Sequence, residues 1–288
     1  MTVSDARPTA TLLVSCPDRK GLVAQIANFI SKRNGNIIHA DHHTDQENEL
    51  FLTRIEWELD GFDFSRSEIA PTFAELATPL QATWELHFSD ELPRIAIWVS
   101  KQNHCLLDLL WRYQAGELQA EIALILSNHP NLEAIAKPLG IPYHCLPVTK
   151  ETKAEQEGAE LALLKKYEVD LVVLAKYMQI LSPEFVDQAP TVINIHHSFL
   201  PAFAGAKPYH RAYERGVKII GATAHYVTAE LDAGPIIEQD VTRVSHRDSV
   251  PDLIRKGKDL ERLVLAKAVR RHLQHRVLSY QNRTVVFA

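Results

Sequence analysis

Arg94-Ile-Ala-Ile-Trp-Val-Ser100 decides the fold. Its apolar residues run without alternation, so a strand made from it must be covered on both faces. Similar runs recur at 120–127, 171–174 and 191–195, with a short one at 143–146. Helical stretches at 105–114, 132–139 and 153–167 lie among them. Doubly covered strands alternating with helices predict an α/β open, mostly parallel sheet with helices on both faces. Residues 219–227 and 236–244 predict an antiparallel pair at its far edge. A long helix over 250–274 follows, with basic residues in its last turns, where the helix dipole favours them.

Upstream the pattern changes. Residues 10–15 form an apolar run, broken by Cys16-Pro-Asp-Arg-Lys-Gly21. Leu22, Ile26, Phe29 and Ile30 then recur at helical spacing, and Asn34-Gly-Asn36 ends that helix, with Gly35 the expected left-handed residue. Residues 37–45 and 49–59 read as strands. In the second, Phe51, Thr53, Ile55, Trp57 and Leu59 share one face, and Arg54, Glu56 and Glu58 the polar one. A helix over 65–77 and a strand over 83–88 complete a ferredoxin-like βαββαβ order. The expected domains are therefore 9–88 and 94–288, joined by the polar linker 89–93.

Apolar residues make up 46% of the chain and charged residues 23%, so disordered and collagen-like classes are excluded. Thirty-one basic residues against 36 acidic ones give a net charge of −5, which argues against sequence-independent nucleic-acid binding. Cys16, Cys105 and Cys145 are too sparse for a disulfide framework or a zinc ribbon, and point to reduced thiols in the cytoplasm. The N-terminal stretch lacks a signal-peptide pattern, and no apolar run is long enough for a membrane span.

The chemistry concentrates in two stretches. Val192-Ile-Asn-Ile-His-His-Ser-Phe-Leu-Pro201 ends a buried strand, and ligands of open α/β sheets bind at carboxyl ends of strands. Asn194 and His196, two apart, project from the same face. An amide donor and an imidazole sharing a cleft suit chemistry at a carbonyl carbon, one holding an oxyanion and one moving protons. A turn-capping asparagine beside a core histidine is the plainer alternative. Pro201 and Gly205 shape the loop beyond. Metal binding by His196, His197, His210 and His225 fits no ligand spacing, and neighbours His196 and His197 are expected on opposite sides of a strand. The second stretch, His225-Tyr-Val-Thr-Ala-Glu-Leu-Asp-Ala-Gly-Pro-Ile-Ile237, places Asp232 in a tight turn. A carboxylate reaching His196 would orient that ring and favour its charged form.

Ile193-Asn-Ile-His-His-Ser-Phe-Leu-Pro201 followed by the Asp232 turn resembles the N10-formyltetrahydrofolate hydrolase and transformylase family, over about 94–288. The resemblance implies a Rossmann-like domain with Asn194, His196 and Asp232 as the catalytic set. It also implies a folate pocket along Ala175-Lys-Tyr-Met-Gln-Ile-Leu181 and 227–232, through Met178, Gln179, Leu181, Val227, Glu230 and Leu231. Folate would be the substrate, with no retained cofactor and no metal.

Members that formylate glycinamide ribonucleotide carry a glycine-rich phosphate cradle after the first strand of this domain. Here that loop is Val99-Ser-Lys-Gln-Asn-His-Cys105, without glycine, although Lys101 could meet an anion. The expectation is therefore hydrolysis of 10-formyltetrahydrofolate to formate and tetrahydrofolate, feeding purine biosynthesis and balancing the one-carbon pool. A formyltransferase with an amine acceptor is the alternative, and a non-catalytic binding regulator a more distant one. The segment Pro17-Asp-Arg-Lys-Gly-Leu-Val23 resembles an ACT domain, which implies an amino-acid effector at Asp18, Gly21 and Leu22, and a homo-oligomer, dimer or tetramer.

Overall fold

The structure is a computed structural model and describes residues 7–149, 151–201 and 208–288. It divides into two units, one of residues up to Leu92 with His275–Ala288, the other Pro93–Gln274.

In the first unit β1 (Thr9–Pro17), α1 (Leu22–Ser31), β2 (Ile37–Asp45), β3 (Leu50–Glu58), α2 (Arg66–Leu80) and β4 (Thr83–Phe88) follow the expected order. Their antiparallel sheet runs β2-β3-β1-β4. Alternation sends Leu12, Val14, Ile55 and Trp57 into one core with Ile26 and Phe73 of the two helices. After α1 the left-handed residue is Asn34, φ 61°, rather than Gly35.

The opposite face of this sheet is covered, which the sequence reading did not anticipate. Residues 275–288, expected to close the second domain, form the hairpin β12 (Val277–Tyr280) and β13 (Arg283–Val286) of the first unit. Leu278 and Phe287 pack on Leu13 and Leu52. Arg54, assigned to a polar face, is buried, and its Nε donates to the His275 carbonyl at 2.9 Å. The guanidinium also pairs with Glu56 at 2.9 Å, so the covered charge is compensated.

The second unit comprises β5 (Arg94–Val99), α3 (His104–Gln114), β6 (Glu121–Ser127), α4 (Glu133–Ala136), β7 (Tyr143–Cys145), α5 (Lys153–Lys166), β8 (Leu171–Leu174), α6 (Pro183–Gln188), β9 (Thr191–His196), α7 (Pro208–Arg215), β10 (Ile219–Tyr226), β11 (Ile236–Arg243) and α8 (Val250–Leu273). The sheet order is β11-β10-β9-β8-β5-β6-β7, parallel from β9 to β7 and antiparallel through β10 and β11. Buried Ile95, Ile97, Val172 and Val173 account for the unbroken apolar runs.

The helix expected over 132–139 is instead α4 between two short 3-10 turns, with Pro138 in the second. Helices α6 and α7 were not expected. Ser182 caps α6 by accepting from the Phe185 N–H, with Pro183 at the first helical position. Ser249 and Asp252 form a capping box on α8, which packs against α3, α7 and β9 to β11.

This topology sets where a ligand can sit. The chain lays down β5, β6 and β7 outward, then restarts with β8 on the other side of β5. That reversal opens a crevice at the carboxyl ends of β5 and β8.

Candidate active site

The crevice floor is tied together by Ser100, just past β5. Its hydroxyl donates to Asn128 Oδ1 at 2.7 Å and accepts from the Met178 N–H at 2.9 Å. The segment after β8 thereby comes to the ends of β5 and β6. There Met178 and Leu231 are 59% and 61% exposed, as is Ile180 at 60%. Leu181 and Val227 are half-buried against the core that holds Trp98 and Tyr177. Gln179 is half-buried and Glu230 exposed. Large apolar side chains held open in a crevice are what an aromatic ligand would cover.

Beside this wall lies a polar constellation from three elements. Asn194 and His196 come from β9, His225 from β10, and Asp232 from the turn after it. Antiparallel register sets His225 opposite Asn194. The turn returns Asp232 to the same place: its carboxylate lies 3.2 Å from His196 Nδ1 and 3.7 Å from His225 Nε2. Asp232 has φ 56°, a left-handed conformation that aspartate tolerates. Gly234 explains the Asp-Ala-Gly pattern, because a Cβ there would stand 1.8 Å from the Tyr226 carbonyl oxygen.

The hydrogen-bond roles follow. His225 Nδ1 is 2.9 Å from the Tyr226 carbonyl, an acceptor only, so Nδ1 carries hydrogen. In the neutral ring Nε2 is then a lone pair, and the Asn194 amide donates to it at 3.2 Å. The second N–H of Asn194 has no partner among the described residues. His196 gives its Nδ1 hydrogen to Asp232, which leaves Nε2 as the lone pair; that atom is buried and unpartnered among the described residues. The hydrogen bond from His196, with the His225 ring second, holds the Asp232 carboxyl well below the usual carboxylate range, against the opposing effect of burial.

His196 and His197 do not point apart: their rings stack with centroids 4.9 Å apart and planes 18° apart. His197 lies just beyond the end of β9, where strand alternation no longer applies. His210 is exposed on α7. Among the described residues, His104, Cys105 and Glu261 are ligand types that converge, within 4.8 Å of one another. Burial pushes the Cys105 thiol up, away from the thiolate a metal needs, and the Lys176 ammonium stands 3.5 Å from Glu261.

His225 was considered only as a metal ligand, and its cross-strand pairing with Asn194 was not visible in sequence. Lys101 is exposed in its loop, and Gly205 lies outside the described residues. In the first unit Asp18 and Gly21 are exposed at the turn before α1, with Gly21 at φ 89°. The Leu22 side chain is buried in the core and can offer a ligand only its backbone.

Residues 93–269 match the family model described as formyl transferase, and residues 10–77 the one described as ACT domain. A formyltetrahydrofolate deformylase from Synechocystis sp. is 70% identical over 280 residues, covering 97% of this chain and 99% of that protein. The crystal structure of a formyltetrahydrofolate deformylase from Pseudomonas syringae has a TM-score of 0.96 at 46% identity, covering 99% of this chain and 96% of that one. Glycinamide ribonucleotide transformylase 1 from Symbiobacterium toebii has a TM-score of 0.66 at 30% identity, covering 71% of this chain and 98% of that one.

Proposed function

The chain belongs to the formyltetrahydrofolate deformylase family, and on that premise we propose that it hydrolyses 10-formyltetrahydrofolate to formate and tetrahydrofolate through Asn194, His196 and Asp232. The observation that carries the assignment is the His196 ring, fixed by Asp232 at Nδ1 with a buried, unspent lone pair at Nε2.

Water gives a proton to His196 Nε2 as its oxygen bonds to the formyl carbon. The formyl oxygen becomes an oxyanion, and the unspent N–H of Asn194 donates to it, a contact worth about 3–4 kcal/mol in comparable sites. Asp232 stays ionised and offsets the positive charge on His196. The C–N10 bond then breaks, N10 takes the proton from His196, and formic acid leaves, losing its proton to solvent as formate. A carboxyl held so far below its usual range is a weak base, so here it orients and balances charge while His196 moves the proton.

Met178, Gln179, Leu181, Val227, Glu230 and Leu231 form the folate wall, and none of the steps uses a resident cofactor. Water is the acceptor because loop 99–105 has no glycine cradle and its His104 is committed to Glu261 at 2.7 Å. The ACT-like unit takes an amino-acid effector at the Asp18–Gly21 turn and works in a homo-oligomer, dimer or tetramer. The setting is cytoplasmic, where the product formate serves purine biosynthesis. No helix of the described residues is long and apolar enough to cross a membrane.

The test is purified protein with 10-formyltetrahydrofolate and no amine. Equal release of formate and tetrahydrofolate is expected. Release that waits for an added amine would convert the reading to a transferase.

A further inference from the structure

Behind the crevice lies a buried charged network that the proposed mechanism does not use. Lys176, directly after β8, is 5% exposed and holds a left-handed φ of 66°, an unfavourable backbone for a long side chain. Its Nζ lies 2.9 Å from His197 Nδ1 and 3.5 Å from Glu261 Oε2. Glu261, on α8, is 1% exposed and accepts from His104 Nε2 at 2.7 Å and from the Tyr209 hydroxyl at 2.6 Å. Gly257, one turn earlier on α8, makes room for this: a Cβ there would stand 2.0 Å from the Tyr209 hydroxyl.

The direction of each hydrogen bond is constrained. An ammonium only donates, so His197 Nδ1 accepts from Lys176 and the His197 hydrogen sits on Nε2. A protonated His197 would turn an N–H toward Lys176 and set a positive charge against both the ammonium and the His196 ring stacked at 4.9 Å. Among the described residues, the nearby titratable groups Tyr209 and Glu261 do not remove this conflict. Tyr209 of α7, with ring centroid 6.5 Å away, is a neutral hydroxyl pushed up by burial, and Glu261 of α8 is already shared by Lys176, His104 and Tyr209.

We propose that Lys176 is a positioning residue: anchored by Glu261, it keeps His197 uncharged and stacked on His196, so that His196 alone takes up the proton of the attacking water. The inference rests on the proposed hydrolysis.

The test uses the full chain with 15N-labelled histidine. In the wild type His197 stays in the Nε2–H neutral form across about pH 5–8, where an ordinary histidine titrates. In Lys176→Met, His197 takes up a proton within that range. The kcat at pH 7 falls at least ~10-fold with KM changed less than ~2-fold, and the acid limb of kcat gains a second ionisation, because a charged neighbour opposes proton uptake by His196. Lys176→Arg restores most of the loss. Ordinary titration of His197 in active wild type overturns the proposal, and that measurement decides the matter even where Lys176→Met does not fold. An unchanged pH profile in a folded Lys176→Met also overturns it. A wild type that releases no formate sinks the hydrolase reading instead and leaves the His197 measurement standing.

Discussion

Replacing Asp232 by asparagine removes one negative charge and little else. The position has φ 56°, where asparagine sits comfortably and alanine carries a strain of about 1–2 kcal/mol, so Asp232→Asn is the cleaner change. The carboxylate lies 3.2 Å from His196 Nδ1, with side chains 19% and 7% exposed. At an effective dielectric constant of about 20, two unit charges at that separation interact by about 5 kcal/mol. The charge on His196 exists only once the water's proton has moved, so the loss falls on the transition state rather than on substrate binding. At about 1.36 kcal/mol per decade this is three to four decades in kcat, reduced where the asparagine oxygen still accepts from Nδ1. A fall of about a thousandfold is expected, with KM for the folate changed less than about threefold. Formate and tetrahydrofolate release are followed together, with circular dichroism as the check on folding. A folded variant that keeps more than a tenth of wild-type kcat would refute the role assigned to Asp232.

The other predictions probe separate parts of the structure. Gly234→Ala forces a Cβ to within 1.8 Å of a backbone carbonyl, so the turn must move by more than about 1 Å and kcat should fall at least ~100-fold. Near-normal turnover would show that the turn does not position Asp232. Met178→Ala and Leu231→Ala, at exposed apolar positions, should each raise KM about fivefold, from about 1 kcal/mol of lost ligand contact, with kcat and thermal midpoint held. A change confined to kcat would remove them from the folate wall. Glu160, buried on α5 under the Tyr177 hydroxyl at 2.9 Å, is raised by burial to about 7. Its contribution to stability is complete below about pH 4.5 and is lost as pH rises through about 7, a swing of about 3 kcal/mol. Urea melts at pH 5 and pH 8 should show Glu160→Gln lacking most of that slope; equal slopes in both proteins would remove Glu160 as its source.

What could be read in the chain depended on how local its physics was. Strands β5, β6, β8 and β9 were legible because Ile95, Leu124, Val172 and Ile193 belong to unbroken apolar runs, whatever packs on them. Asn194 and His196 were legible as a pair through two-residue alternation alone. His225 was not, because its place opposite Asn194 is a matter of antiparallel register. Helix α6 spans six residues, too few for periodicity to show, although Ser182-Pro-Glu184 is a serviceable start signal. Arg54 looked solvent-facing because its cover comes from His275, 221 residues further on. The stack of His196 on His197 depends on where β9 stops, and a strand end is the least legible boundary of all.

The hairpin of β12 and β13 has a consequence for how the protein is made. Leu13 and Leu52 are synthesised early, and their cover, Leu278 and Phe287, leaves the ribosome only after the whole second unit. At about 5–20 residues per second the intervening unit takes on the order of tens of seconds to emerge. Throughout that interval the nascent sheet displays a bare apolar face, a handle for chaperones and a hazard where many chains are translated together. A fragment ending at Leu92 would keep that face bare permanently, so the N-terminal unit is a module in its sequence pattern but not in its biogenesis.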